Sequence, residues 1–226
     1  MGDLTATELA SRLGVTRRHA IDLLARGAIN GHRLSSGAWL ADADSVLRYE
    51  NSARRGGGRK LDTDTAWGLL WELSGLRASW LAPSTLSRVR GRLRNWGAEE
   101  IARAVSGRTR VHRYRAANAA RAGEGLIATG RSAAGQLHVG LMDDTRQVSG
   151  YVRHDDVGEY ARTHFMVASP SGQDVLYDNT LPIAYDADTM PAAVIAADLA
   201  VSTDTRERSG GLRALAELRD AWLASN

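Results

Sequence analysis

The sequence predicts an α+β protein: two short helices and a hairpin come first, a basic helical middle follows, and a small mixed α+β domain closes the chain. Three observations predict it. Apolar residues recur at helical spacing within the first 25 positions and again over residues 65–94 and 192–223. Between residues 126 and 177 the apolar runs are short and set apart by Gly, Asn, Asp and Pro, the punctuation of a small sheet. The basic, Gly-rich stretch 51–60 (NSARRGGGRK) offers little to pack and reads as a linker. The expected organisation is a first domain over 1–50, a linker over 51–60, an Arg-rich helical region over 61–121 and an acidic α+β domain over 122–226.

Thr5-Ala6-Thr7-Glu8 fits a capping box, so a helix is expected to start after Thr5. Leu9, Ala10 and Leu13 share one face of it, and Gly14-Val15 supplies the left-handed turn that ends it. Thr16 can cap a second helix over 17–26, which buries Ala20, Ile21, Leu23 and Leu24 and stops at Gly27. Residues 29–34 and 38–40 read as two strands around Ser35-Ser36-Gly37, and Asp42 or Asp44 can cap a third helix that runs through Tyr49.

Two short helices joined by a Gly-containing turn and followed by a hairpin make a winged helix-turn-helix. In such a unit the first turn of the second helix enters the major groove of DNA. Here that turn holds Thr16, Arg17, Arg18 and His19, with Arg26 further along the exposed face. Arginine in this place pairs with guanine edges or holds phosphate, which the helix N-terminus also attracts. Arg33, Ser35 and Ser36 on the wing are candidates for the sugar-phosphate backbone, and Arg54, Arg55, Arg59 and Lys60 just beyond are read as helpers of the same contact.

The segment LTATELASRLGVTRRHAIDLLARGAINGHRLSSGAWLADADSVLRY, about one fifth of the chain, resembles the small winged helix of the excisionase and MerR-like family. LASRLGVT, ARGAI and GAWL stand in the expected places. The resemblance implies DNA binding through Arg17, Arg18, His19, Arg33 and the hairpin tip. Asn30-Gly31-His32 departs from it, since the family often has an apolar or proline-containing stretch there.

In the middle, a helix over 65–75 is expected, capped by Asp62 or Asp64, with Trp67 and Trp71 four apart and read as core packing. A second helix through Leu86, Val89 and Leu93 turns Arg88, Arg90, Arg92 and Arg94 outward. From 88 to 121 ten arginines oppose only Glu99 and Glu100. Such a patch fits a duplex, through salt-sensitive and sequence-independent contacts, or an acidic protein. In the last part, residues 126–130, 137–141, 148–152 and 175–177 read as strands. Pro191 then opens a helix over 192–201, and Thr203 or Asp204 caps a last one through Leu212, Leu215, Leu218, Trp222 and Leu223.

Composition narrows the function. The 226 residues include no cysteine, which excludes disulfides, thiolate zinc sites, iron-sulfur clusters and cysteine nucleophiles. No run of about 18 apolar residues could cross a bilayer, and Met1-Gly2-Asp3-Leu4 lacks the regions of a secretory signal. No membrane partner and a cytoplasmic location are expected. The net charge of +3 divides unevenly: residues 1–121 hold 21 Lys/Arg and 11 Asp/Glu, or +10, and residues 122–226 hold 8 and 15, or −7. A polyanion partner for the first half is implied. His154-Asp155-Asp156 and Asp143-Asp144 are the clusters that could suggest catalysis or metal binding, but Asp at turns more often caps a helix or forms an Asx turn. No Gly-rich phosphate loop ends in Lys-Ser/Thr. No enzyme activity, metal or cofactor is expected.

The segments KLDTDTAWGLLWELSG, WLAPSTLSRVRGRLR, VHRYRAANAA and AAVIAADLAVSTDTRERSGGLRALAEL resemble actinobacterial helix-turn-helix proteins related to the AbiE-type antitoxins of type IV toxin-antitoxin systems. That resemblance implies a transcriptional autorepressor that counteracts a nucleotidyltransferase toxin. One winged helix reads few base pairs, so operator repeats in double-stranded DNA and self-association or cooperative binding are expected. Two other readings stand beside it: a ligand- or protein-sensing winged-helix regulator with no toxin partner, and an enzyme with a DNA-targeting head.

Overall fold

A computed structural model describes residues 3–25, 27–43, 45, 46, 49, 60–153 and 156–226. The chain divides into two units, residues 1–57 and 58–226, which together make an α+β protein with two sheets.

The first unit runs β1 (Leu4–Thr5), α1 (Ala6–Leu13), α2 (Arg17–Ala25), β2 (Gly31–Arg33) and β3 (Trp39–Ala41). The capping box forms as expected. Glu8 N–H donates to Thr5 Oγ1 at 3.3 Å, and Thr5 N–H donates to Glu8 Oε2 at 2.8 Å. These bonds hold the Glu8 carboxyl below the usual carboxylate range. Gly14 ends α1 with φ +66°, and Val15 N–H returns to Ala10 O at 3.0 Å. The two-residue β1, too short to leave a sequence pattern, pairs antiparallel with β3, whose other side takes β2. Leu9, Ala10, Ala20, Leu23, Leu24, Ile29, Ala41 and Val46 form the core, while Ile21 stays half-buried. Asp42 is the third helix's cap, accepting from Ser45 N–H at 2.6 Å. Gly31 meets a close approach: a Cβ there would lie 2.6 Å from Leu24 Cδ2 and against the Leu40 carbonyl. Asn30 N–H is held by Ser45 Oγ at 2.7 Å.

The second unit contains α3 (Thr63–Leu73), α4 (Pro83–Asn95), α5 (Ala98–Val105), β4 (Val111–Ala116), α6 (Ala119–Gly123) and β5 (Ile127–Ala128). A 3-10 segment (Gly130–Leu137), β6 (Ser149–Tyr151), α7 (Val157–Thr163), β7 (Met166–Ala168), β8 (Asp174–Tyr177), α8 (Ala192–Ala200) and α9 (Thr205–Ser225) follow. The sheet order is β5-β6-β8-β4-β7; β6 and β8 are parallel and the other pairs antiparallel. Alternation along the strands gives each face its own core. Tyr151, Val175 and Tyr177 point into a large cluster with α3, α4, α5, α8 and α9, while Tyr114, Met166 and Leu176 point into a smaller one with α6 and α7.

The division expected at residue 121 has no counterpart in this packing. The large cluster runs without a break from Ala66 to Trp222, and β4, which falls in the stretch read as helical, pairs with β7 and β8 from the acidic half. The charge asymmetry is redistributed too: residues 1–57 carry 8 Arg and 6 Asp/Glu, and residues 58–226 carry 21 Lys/Arg and 20 Asp/Glu. The strand read over 137–141 is not a strand. His138 at φ +54° and Gly140 at φ +74° turn the chain left-handed twice in three residues, which no ladder accommodates. Leu137 and Val139 are buried all the same.

Asp62 caps α3 through Thr65 N–H at 2.9 Å, and Asp204 caps α9 through Arg206 and Glu207 N–H at 2.8 and 2.9 Å. Trp67 is fully buried and meets Trp71 edge-on at 6.1 Å between centroids, the packing its spacing suggested.

A buried polar brace crosses the large cluster. Arg108, between α5 and β4, pairs with Asp198 in the middle of α8, and both side chains are almost wholly buried. Arg108 also donates to Tyr151 OH at 2.9 Å and Val105 O at 3.2 Å, and its guanidinium carbon lies 5.2 Å from the Trp67 ring centroid. Asp198 accepts from Thr129 Oγ1 at 2.7 Å and from Tyr151 OH at 3.1 Å. Burial is the strongest single influence and opposes the Arg108 charge, but Asp198, Tyr151 and Tyr177 together outweigh it and raise the Arg108 pKa. Burial pushes Tyr151 well up and keeps it a phenol able to donate.

Candidate nucleic-acid interface

The candidate site is built on α2. Ala20, Leu23 and Leu24 anchor one side of the helix, which leaves Thr16, Arg17, Arg18 and His19 exposed around its N-terminus. Thr16 performs the capping expected of it: His19 N–H donates to Thr16 Oγ1 at 3.2 Å. That hydroxyl therefore serves the helix first. The helix N-terminus and the two exposed arginines of the first turn bring positive charge to this end of α2, although the first unit as a whole is only slightly basic.

The hairpin lies on the same unit. Leu34 N–H bonds Ala38 O and Gly37 N–H bonds Leu34 O, each at 2.8 Å, and Gly37 sits at φ +83°. Arg33 Nε donates to Gly37 O at 3.1 Å, which folds the side chain along the turn, and Ser35 and Ser36 at the tip are exposed. Gly31 and Leu24 join hairpin and helix into one framework.

Lys60 belongs to the second unit, where its stem packs over Gly107. Arg26, Arg54, Arg55 and Arg59 lie outside the described residues. The ten arginines of 88–121 are spread over α4, α5, β4, α6 and the segment before β4, and Arg108 among them is buried. Arg90 pairs with Glu72 at 2.9 Å, Arg92 lies over Trp96 and Arg94 over Trp222, and Arg88 folds back on Ser84 O and Thr85 Oγ1.

Asp143, Asp144 and Asp156 bond backbone amides at turns and at a helix start. Asp143 accepts from Gly135 N–H at 2.7 Å, Asp144 from Arg146 N–H at 2.9 Å, and Asp156 caps α7 through Gly158 N–H at 2.8 Å. His154 and Asp155 lie outside the described residues. Among the described residues no group of three or more His, Asp or Glu is arranged to hold a metal, and no helix is long and apolar enough to cross a membrane.

Protein-family models, curated proteins and solved structures were compared with the chain, and none matches.

Gly14 sets where α2 begins relative to α1. Gly14→Ala places a Cβ on a left-handed residue, so a loss of about 1 kcal/mol in the stability of the first unit is expected. Space is not the cause, since a Cβ there meets nothing within 4 Å. Thermal unfolding followed by Trp39 fluorescence in a 1–57 fragment would show it; Gly14→Asn, which tolerates that conformation better, should lose less.

Proposed function

We propose that the chain is a DNA-binding transcriptional autorepressor whose first unit is a winged helix-turn-helix, and that it serves as the antitoxin of a type IV toxin-antitoxin pair. The first part is carried by one observation: the exposed first turn of α2, with Arg17, Arg18 and His19, directly follows the left-handed turn at Gly14 and projects from an apolar framework that includes the hairpin. In this reading Arg17 and Arg18 contact base edges or the flanking phosphates, and Arg33, Ser35 and Ser36 contact the backbone beside them. The antitoxin part is supported by the resemblance of four segments between residues 60 and 220 to helix-turn-helix proteins related to the AbiE-type antitoxins. A regulator with no toxin partner shares the DNA contact and differs only in the role of the second unit.

The test is fluorescence anisotropy on the DNA upstream of the protein's own gene, against random DNA of equal length. Wild type should prefer the upstream DNA, and the double variant Arg17→Ala, Arg18→Ala should weaken binding at least tenfold, since each lost base contact removes about 1 to 3 kcal/mol. Equal affinity for both DNAs, or an unaffected double variant, would overturn the operator reading. Light scattering of the complex should give two copies per operator. For the second part, co-expression with an adjacent nucleotidyltransferase should restore growth; unchanged toxicity would favour a regulator without a toxin.

A further inference from the structure

The five-stranded sheet has two edges, and the chain closes one of them itself. Beside β5, Ala128 N–H donates to Asp188 O at 2.8 Å and Met190 N–H donates to Ala128 O at 2.9 Å. At the other edge β7 pairs with β4 alone among the described residues. Ser169 N–H bonds Arg113 O at 3.0 Å, and Arg115 stands opposite Val167. The alternation of an antiparallel ladder then commits Val167 and Ser169 to β4 and turns the N–H and C=O of Met166 and Ala168 outward.

Open edges are usually guarded by charge, proline or a bulge. This one reads Met166-Val167-Ala168 after Phe165, with Val167 70% and Phe165 68% exposed. Phe165 sits at φ +53°, an uncommon conformation for a bulky residue, at the start of the strand. The face that carries Val167 continues onto Arg113 and Arg115 of β4, and neither strand contains an acidic residue. Arg115 is exposed, with Nη2 3.1 Å from Ser171 Oγ, and Arg113 Nη1 donates to Gly172 O at 3.3 Å.

We propose that the β7 edge takes an extended segment of a partner protein as a sixth strand, and that this segment alternates acidic with apolar residues. Its main chain bonds Met166 and Ala168, and its carboxylates face Arg115 across Val167. An added strand lies about two strand spacings, roughly 9.6 Å, from β4, a gap that an Arg and a Glu side chain span together. A second copy of this chain is the poorer occupant, because pairing β7 with β7 gathers Arg113 and Arg115 of both copies on one face. This mode of recognition is strand addition, in which the backbone supplies affinity and the alternate side chains supply choice. It is independent of the DNA reading.

The probe is the blocked peptide Glu-Val-Glu-Val-Glu-Val, with Lys-Val-Lys-Val-Lys-Val as its charge-reversed control, titrated into the full chain. The acidic peptide should bind at least tenfold tighter and slow amide exchange at Met166 and Ala168. Ala168→Pro removes an outward N–H without touching the β4 pairing and should abolish binding; Arg115→Glu should reverse the preference and carries the test if the proline variant does not fold. Equal binding of both peptides, or unchanged exchange at the two amides, overturns the proposal. So does a dimer in light scattering whose Met166 and Ala168 amides are already protected, since the occupant is then a second copy.

Discussion

Replacing Asp198 by alanine is expected to destabilise the second unit by about 4 kcal/mol, because a buried ion pair that loses one partner leaves the other charge uncompensated. Arg108 has no route to water here: its side chain is as buried as that of Asp198, and its remaining partners are Tyr151 OH, the Val105 carbonyl and the Trp67 ring. Thr129 and Tyr151 lose their acceptor in the same step. The loss should show as a lower urea midpoint in tryptophan fluorescence, which reports mainly on the second unit because five of the six tryptophans lie in it. Arg108→Met with Asp198→Leu removes both charges and should recover much of the loss, as replacing whole buried pairs often does. A single variant within about 1 kcal/mol of wild type would mean that water reaches the pair.

Arg108→Met alone adds a pH signature. Burial raises the Asp198 carboxyl above its ordinary 3.8 even with Arg108 present, and removing the guanidinium raises it further. A carboxyl with a raised folded-state pKa binds its proton more readily in the folded state. The penalty is therefore absent below the unfolded value, near pH 4, and grows as pH rises toward the folded one. The stability gap between this single variant and the double variant should be small at pH 4 and widen as pH rises to 7.

The elements most legible in the sequence are those with local causes. Thr5 and Glu8, Gly14, Asp62 and Asp204 all announce helix ends through groups within four residues, and all act as read. The exposed first turn of α2 is legible for the same reason, since its charged face and its apolar face alternate within nine residues. β4 is hidden because VHRYRA looks like a basic run, and only its pairing with β8 and β7 makes Tyr114 an inward residue. β7 and β1 are too short for a period to register. Arg108 is hidden among neighbouring arginines, but its partner left a trace. Asp198 is the one charged residue in AAVIAADLA, a helix otherwise apolar on every side, and such a residue calls for a buried cation. The charge step at residue 121 misled for the complementary reason: charge counted along the chain ignores which segments share a core.

Gly211→Ala is expected to destabilise the protein by about 2 kcal/mol although alanine is the better helix former. A Cβ at Gly211 would lie 2.6 Å from Ala196 O and 2.8 Å from Leu199 C, and closer still to Ala200 N. These are backbone atoms of α8, so no rotamer change can make room and α9 must move away from the helix it packs on most extensively. Overpacking of this kind costs about 3 kcal/mol. The gain in helix propensity, about 1 kcal/mol, does not offset it. Gly91 in α4 is the matched control, because a Cβ there meets nothing within 4 Å and Gly91→Ala should stabilise by about that 1 kcal/mol. Opposite signs for one chemical change in two helices of one unit would place the difference in the α8–α9 contact. If both variants stabilise, the two helices do not approach as closely as Gly211 allows.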